Sequence, residues 1–282
     1  MAYHIWRVGL DIQNGCMRAL AVQHRRYGWQ LRQWWQYPLP DDTLRAGSLH
    51  HTDALCEALR KWRRQLPGHI SLRVGFPAQL ILQQRLPLPD RRLQEPEHSM
   101  YLETMAARNL PVSRGSLAID YREDPHSPGA LLVTAARRQE IDVWLACLNN
   151  AGLRPDVLEV STCALRTMAQ LARLASDRLF LHRLPDGWLW VSPLNQAFQS
   201  GVIPLDEIDE GADILSIVST RYHHDVGSVA YYSGVDDATC LQQTDLLSWS
   251  PFTVFNQMQP PLPVFPPAFV IACGLALRPE DS

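Results

Sequence analysis

The chain has 282 residues, of which 46% are hydrophobic and 20% charged, and its formal net charge is −3 at pH 7. These values are those of an ordinary globular protein, and the charge gives no electrostatic reason to bind nucleic acid or an anionic membrane. The longest apolar run, residues 268–277, is about half of the roughly 20 residues needed to span a bilayer. We therefore expect a cytoplasmic protein without direct nucleic-acid binding or membrane insertion.

The opening of the chain predicts a strand, a tight turn and a second strand. Residues 8–22, VGLDIQNGCMRALAV, alternate apolar with small or polar side chains, and Asn14-Gly15 is a dipeptide that favours a hairpin turn. Residues 29–37 add a third strand to this antiparallel meander. Asp11 would then end the first strand, facing the turn, which is how actin-fold proteins place a carboxylate near the phosphates and metal of ATP. Nucleotide binding is therefore the first hypothesis for this segment.

Helices and further strands follow the meander in alternation, which indicates an α/β fold. Helices are predicted at residues 52–66, 97–110, 138–151 and 161–175. Thr52 and Ser161 would cap two of these helices at their N-termini, and Gly152 would cap one at its C-terminus. Strands are predicted at residues 71–76, 80–86, 117–122, 130–136 and 155–160, with a loop at 86–96.

The meander pattern returns in the second half of the chain. Strands are predicted at residues 179–184, 187–193 and 197–204, followed by a helix at 210–222 and a strand at 228–233. The proline-rich residues 259–267 favour a stiff connector over a partner-binding polyproline segment, and they lead to a closing helix at 268–278. A meander followed by helices, used twice, suggests two related lobes.

Several kinds of chemistry find no support in the sequence. Lys61 is the only lysine among 26 basic residues, and it lies on the polar face of a predicted helix. This placement excludes P-loop and protein-kinase sites, which need a lysine on the phosphates. His50-His51 and His223-His224-Asp225 lack metal-ligand spacing, so no metal site is predicted. The six scattered cysteines are predicted to be small buried thiols.

Four segments, in order along the chain, carry a resemblance to a known family. They are residues 8–22, the loop LPLPDRRLQEP at 86–96 with the helix after it, the block 134–166 with its AGL-x-P turn, and CGLALR at 273–278. With these segments the chain resembles the PilM family of actin-like type IV pilus assembly proteins, in particular its enterobacterial DNA-utilization branch. The match spans nearly the whole chain.

The resemblance implies an actin-like (ribonuclease H-like) fold of two lobes with a cleft between them. The first lobe would comprise residues 1–160, with a small subdomain inserted at about 67–137. The second lobe would comprise residues 161–282, with a reduced insertion and the closing helix at 268–278.

The resemblance also implies a function. PilM-like proteins sit on the cytoplasmic face of the inner membrane and hold the N-terminal cytoplasmic tail of a bitopic PilN-like partner, which here would be HofN-like. They thereby connect the membrane platform to the motor ATPase of a machine that assembles type IV pili or takes up DNA. The tail would lie extended in a groove near the inserted subdomain, where Phe76, Pro77, Leu86 and Leu88 are the predicted contacts.

A nucleotide cleft, as the resemblance implies it, would include Asp11, Asn14, Gly15, Arg18 and Gly234. Arg18 stands where the family has a lysine. The first turn departs from the family pattern because its glycine is displaced and a bulky glutamine precedes it. A small turn is needed for backbone N–H groups to approach a phosphate closely.

The second lobe departs further from the nucleotide motifs. His182-Arg183-Leu184 stands where the family has Asp-x-Gly, and residues 233–236 replace a turn with paired glycines. These departures predict a non-enzymatic scaffold that has lost ATP hydrolysis and needs no cofactor. Two alternatives stay open: an active actin-fold ATPase or kinase that binds ATP and magnesium, and a GspL-like type II secretion domain. The latter normally continues into a membrane helix, which argues against it here.

Overall fold

The computed structural model describes residues 5–90, 92, 94, 96–109, 116–123, 126–209, 213–222, 227–235 and 244–280. Predictions that concern residues 110, 223–225, 236 and 240 lie outside these ranges. Over the described ranges, no helix has the length and apolar character needed to cross a membrane.

Strands and helices alternate through the described chain. The strands are β1 (Trp6–Gln13), β2 (Cys16–Arg25), β3 (Gly28–Pro38), β4 (Leu44–Arg45), β5 (Ser48–Leu49), β6 (Ile70–Phe76), β7 (Ile81–Pro87), β8 (Leu117–Glu123), β9 (Ala130–Arg137), β10 (Val157–Val160), β11 (Phe180–Leu184), β12 (Gly187–Val191), β13 (Ser200–Pro204), β14 (Ala230–Gly234), β15 (Leu246–Ser248) and β16 (Gln257–Met258). The helices are α1 (Thr52–Arg63), α2 (Glu97–Asn109), α3 (Arg138–Asn150), α4 (Ser161–Leu171), α5 (Ile214–Tyr222) and α6 (Val270–Leu277). Short 3-10 helices lie at Ala78–Leu80, Leu205–Glu207, Pro251–Val254 and Pro266–Phe269.

Two large sheets share one strand order. In the first, the antiparallel meander β1–β2–β3 is extended on the β1 side by the parallel strands β6 and β10. In the second, the meander β11–β12–β13 is extended on the β11 side by the parallel strands β14 and β15. The repeated meander predicted from the sequence is thus confirmed, and both sheets have the arrangement of a ribonuclease H-like lobe.

A third, three-stranded sheet lies between the first two in chain order and forms the inserted subdomain. Its strands run in the order β7–β9–β8, all antiparallel. On one face Leu86, Leu131 and Val133 pack against Leu102 of α2. On the other face Leu132 joins the large core that includes second-lobe residues, so the subdomain reaches across toward the second sheet.

Helices α4 and α6 pack against each other, and their contact belongs to the core that joins the two large sheets. Two glycines permit the close contacts of α6, with β1 and with α4. A Cβ at Gly9 of β1 would lie 2.0 Å from the Ala272 carbonyl oxygen of α6. A Cβ at Gly274 of α6 would lie 2.0 Å from the Ala164 carbonyl oxygen of α4. Backbone therefore meets backbone at both places, with no room for a side chain.

The end of the chain, assigned above to the second lobe, packs on the first sheet. Helix α6 lies against β1, β2 and β6, and the short strand β16 pairs in parallel with β3 opposite Gln30 and Leu31. Sequence periodicity could not indicate this return, because an apolar helix such as α6 can be covered by either sheet. The described closing segment thus ties the two lobes together.

The predictions for the ends of the helices are only partly confirmed. Thr52 and Ser161 are the first residues of α1 and α4 and not their caps. The N-cap positions are taken by His51, whose backbone angles are irregular, and by Val160, whose backbone is extended. Neither residue makes a side-chain capping hydrogen bond. Gly152 follows α3 with φ of 74°, as a C-terminal glycine should. Helix α4 ends at Leu171, four residues earlier than predicted, and Arg173 just beyond it has φ of 53°.

Candidate functional site

The end of the β1–β2 hairpin meets the second sheet at Gln13. Gln13 accepts a hydrogen bond from Nη1 of Arg18 (3.1 Å) and donates one from Nε2 to Oδ2 of Asp11 (2.7 Å). The same Nε2 lies 3.4 Å from Nε2 of His182 on β11. The side-chain amide of Gln13 is therefore hydrogen-bonded to Asp11 and Arg18 of the first lobe and also reaches His182 of the second.

The protonation of His182 follows from its partners. Nδ1 of His182 lies 2.9 Å from Oγ of Ser233, and that hydroxyl donates to the Leu181 carbonyl oxygen at 3.2 Å. Because the hydroxyl proton is used, Oγ accepts from Nδ1–H of His182, which leaves Nε2 as the acceptor for Gln13. Each hydrogen bond in the series Arg18, Gln13, His182, Ser233 and Leu181 then has one donor and one acceptor.

Burial raises the pKa of Asp11 in the first lobe and lowers the pKa of His182 in the second. Asp11 is 5% exposed, and desolvation raises its pKa to about 6 against the opposing effects of Arg18 and of the hydrogen bond from Gln13. His182 is fully buried, and desolvation, with a smaller effect of Arg18, lowers its pKa to about 3. His182 is therefore a neutral ring at physiological pH.

Two spaces of different size lie beside the hydrogen bonds of Gln13, and Asn14 borders both of them. One is a cavity with about 30 Å³ of water-accessible space, lined among others by Asp11, Gly75, Ser161 and Asp186. This volume is enough for one or two water molecules, roughly. The other is an open groove of about 890 Å³, which we call the Arg18 groove. It is lined by Asn14, Gly15, Cys16, Arg18, Trp34, Gln36, Pro38, Asp41, Pro185, Val235, Pro263, Val264, Phe265, Ala268 and Phe269.

The structure brings together only some of the predicted nucleotide residues. Asn14, Gly15 and Arg18 line the Arg18 groove, whereas Asp11 faces the small cavity. Oδ1 of Asn14 accepts from the Leu44 backbone N–H at 3.3 Å, so that side chain organises the neighbouring loop. Gly234 has φ of 112°, and a Cβ there would lie 2.2 Å from the carbonyl oxygen of its strand neighbour. Glycine is thus required by strand packing at this position.

A second groove, of about 380 Å³, lies between the inserted subdomain and the edge of the first sheet; we call it the tail groove. Its walls are β8 and β10, and each of these strands is paired on one side only among the described residues. It is lined by Phe76, Ile81, Ala118, Ile119, Asp120, Arg122, Thr134, Ala136, Ile141, Asp156, Val157, Leu158, Glu159, Val160 and Arg278.

The charged groups of the tail groove are mostly paired with one another. Glu159 is 4% exposed, and its Oε1 accepts from Nη2 of Arg122 (3.3 Å) and from the Val160 backbone N–H (3.0 Å). Its Oε2 accepts from Nε of Arg278 at 2.5 Å. This carboxylate joins β8, β10 and the residue after α6.

The four predicted groove contacts lie in different surroundings. Phe76 lines the tail groove, and Pro77 lines the small cavity. Leu86 is buried in the core of the subdomain. Leu88 is 44% exposed because β7 ends at Pro87 and the chain leaves the sheet there. Sequence reasoning missed Glu159, although a glutamate inside an apolar strand pattern was a usable signal.

Sequence comparisons decide the family. A family model described as Type IV pilus assembly protein PilM matches residues 9–180. The chain is also 31% identical to the DNA utilization protein HofM of Escherichia coli (strain K12), over 280 residues and 98% of each chain. The chain belongs to the PilM family. The resemblance stated from the four sequence segments is thereby confirmed.

Solved structures with low sequence identity share the fold of this PilM-family chain. The PilM–PilN type IV pilus biogenesis complex contains a chain with a TM-score of 0.73 and 20% identity, over 96% of this chain and 97% of that one. The cytoplasmic domain of EpsL, an inner membrane component of the type II secretion system of Vibrio cholerae, has a TM-score of 0.55 and 12% identity, over 97% and 95%. These likenesses and the shared strand order confirm the actin-like fold.

Proposed function

We propose that this PilM-family protein is a cytoplasmic scaffold of a type IV pilus-like assembly or DNA-uptake machine. It holds the N-terminal cytoplasmic tail of a bitopic PilN-like or HofN-like inner-membrane protein, and it is peripheral to the inner membrane through that partner. The motor ATPase of the machine is its further partner. The protein does not hydrolyse ATP.

The tail groove carries this proposal. An extended peptide can add to a strand edge through main-chain hydrogen bonds, with alternate side chains entering pockets. Both walls of the tail groove are strand edges, and Phe76, Ala136 and Ile141 give it an apolar lining. A tail that lies between β8 and β10 would bridge the inserted subdomain and the first sheet.

The charges of the tail groove indicate how such a tail is recognised. Glu159 is held by Arg122 and Arg278, so these three groups do not offer a free charge to a ligand. Breaking a buried pair of this kind is strongly unfavourable. Main-chain pairing and apolar contacts therefore supply the affinity, and we expect its dependence on salt to be weak.

The residues of the cleft do not fit a magnesium-bound triphosphate. Asp11 faces the small cavity and Arg18 the Arg18 groove, with Gln13 between them. A carboxylate that orients metal-bound water and a cation that meets phosphate have to share one space. The neutral His182 offers no second carboxylate. These observations support a scaffold without ATP hydrolysis.

Calorimetric titration tests the proposal with two ligands, a synthetic tail of the neighbouring membrane protein and ATP–magnesium. We expect micromolar tail binding and no heat from ATP. The variant Ala118→Arg places a long side chain in the tail groove and should weaken tail binding about tenfold or more. The control Val143→Arg alters a side chain that is 38% exposed on α3 and should not.

Two results would contradict the proposal in different ways. Tail binding that is equal in Ala118→Arg and wild type would remove the tail groove as the binding site. ATP binding and hydrolysis that are lost in Asp11→Ala would restore the nucleotide switch, whatever the tail does.

A further inference from the structure

Arg18 is buried without a full set of hydrogen-bond partners. Its side chain is 6% exposed, and among the described residues its only hydrogen bond runs from Nη1 to Gln13. Nε of Arg18 is buried and has no partner. A guanidinium has five N–H donors and is always charged; Asp11 interacts with it electrostatically, but Nε of Arg18 is left without an acceptor. The open side of Arg18 faces the Arg18 groove.

The rest of the Arg18 groove is largely apolar. Trp34 and Phe269 pack edge to face at 5.5 Å between ring centroids, and Phe265 continues this wall. Val264 stands at the rim and is 100% exposed. These side chains line one groove and form a contiguous apolar surface, and exposed apolar patches of this kind mark interaction sites.

Strand β3 runs along the groove with a largely unpaired outer edge. Among the described residues, β16 pairs with β3 only opposite Gln30 and Leu31. Beyond that point the neighbouring segment 259–265 forms no strand, and its prolines have no N–H to donate. Nε1 of Trp34 holds this segment in place by donating to the Pro261 carbonyl oxygen at 2.8 Å. At Gln36, which lines the groove, no described strand pairs with this edge of β3, so an extended backbone can add to it there.

The charge of the lining selects the ligand. Among the described residues that line the groove, Arg18 is the one cation and Asp41 the one acid. A triphosphate would bring several negative charges to one cation and one carboxylate. A peptide with a single carboxylate matches the charge of Arg18 and also uses the apolar wall and the strand edge.

We propose that the Arg18 groove is a second docking site, for an extended peptide segment of a partner protein that carries one carboxylate among apolar residues. The carboxylate pairs with Arg18, and the apolar side chains pack on Trp34 and Phe265. The Arg18 groove flanks β3 and the tail groove flanks β10, which are at opposite sides of the first sheet. The protein can therefore hold two partners at once.

A phage-displayed random heptapeptide library, selected on the full chain, tests this site, and Val264→Asp at the rim of the groove should weaken binding of the selected peptides. We expect enriched peptides to share a single acidic residue among apolar ones. In fluorescence anisotropy, an amide in place of that acid should weaken binding about tenfold or more, and so should Arg18→Met. The matched control Val143→Asp, at another exposed valine, should bind like wild type.

Three outcomes would overturn the proposal. The first is a selection without enrichment of acid-bearing peptides. The second is binding that is unchanged in Val264→Asp, a variant whose exposed position leaves folding intact even if Arg18→Met fails to fold. The third is displacement of the peptides by ATP at a stoichiometric concentration, which would make the groove a nucleotide site.

Discussion

Asp11 and His182 occupy corresponding positions in the two large sheets. Each lies two residues before the last pair of the hairpin that opens its sheet, Gln13–Cys16 in the first and Leu184–Gly187 in the second. Each is buried, and each points toward the space between the lobes. Yet one is a carboxylate whose pKa is raised to about 6, and the other an imidazole whose pKa is lowered to about 3.

The difference shows how corresponding positions of a repeated fold can carry different chemistry. Two carboxylates facing each other across the lobes would need a metal ion or a proton between them. A carboxylate and a neutral imidazole need only a donor that serves both, and Gln13 is that donor. Protein groups thereby join the two lobes at this point.

The largest expected effect is on the helix contact that keeps the two sheets facing each other. Gly274→Ala puts a Cβ 2.0 Å from the Ala164 carbonyl oxygen, and both atoms belong to helix backbones. Helix propensity alone predicts a gain of about 1 kcal/mol from this change. Overpacking outweighs it, so we expect a loss of about 3 kcal/mol or more. Urea unfolding measures it, and Gly68→Ala, with open space around it, should differ from wild type by less than about 0.5 kcal/mol.

If Gly274→Ala lowered the free energy of unfolding by less than about 1 kcal/mol, α4 and α6 could move apart freely. The network around Gln13 could then not depend on their contact. That result would break the comparison between Asp11 and His182, because the two residues would no longer be held in one space.

The next largest effect is the pH dependence that His182 confers. The pKa of His182 is about 3 in the folded state and about 6.5 when unfolded, so the unfolded chain binds the proton first as the pH falls. Stability from this group is complete above pH 6.5 and falls by about 3 kcal/mol down to pH 4. His182→Gln should lack this loss in urea unfolding at several pH values. The variant His69→Gln, at an exposed histidine, serves as the control. If His182→Gln left the dependence of stability on pH unchanged, the cleft around His182 would be hydrated and open.

Much of the fold could be predicted from the sequence, because each lobe opens with a meander whose periodicity is local. Asn14-Gly15 and Gly152 mark turns by their own backbone preferences, and the structure has both, with φ of 71° at Gly15 and 74° at Gly152. The destination of α6 could not be predicted. An apolar helix shows that it is buried, but only the tertiary fold shows which sheet covers it.

The site was harder to predict because its contacts are distant in sequence. Gln13 and His182 are 169 residues apart, and in the sequence Gln13 only added bulk to a turn. The tail groove is formed by two strand edges, and which strands lie at edges depends on topology. The resemblance placed both Leu86 and Leu88 in the tail-binding neighbourhood, but β7 ends between them, so one is buried and the other exposed.

The smallest expected effect comes from Asp11 and has the opposite sign to that of His182. Because the folded pKa of Asp11, about 6, lies above the usual aspartate pKa of 3.8, the folded chain binds the proton more tightly. Stability from this group is complete below pH 3.8 and is lost as the pH rises through 6, by about 2 kcal/mol between pH 4 and 7. Between pH 4 and 7, the free energy of unfolding of Asp11→Asn relative to wild type should therefore rise by that amount in urea unfolding. The relative free energy of the exposed Asp142→Asn should not change. A loss of stability in Asp11→Asn over this range would mean that Asp11 is ion-paired, and both residues would then lose stability as the pH falls.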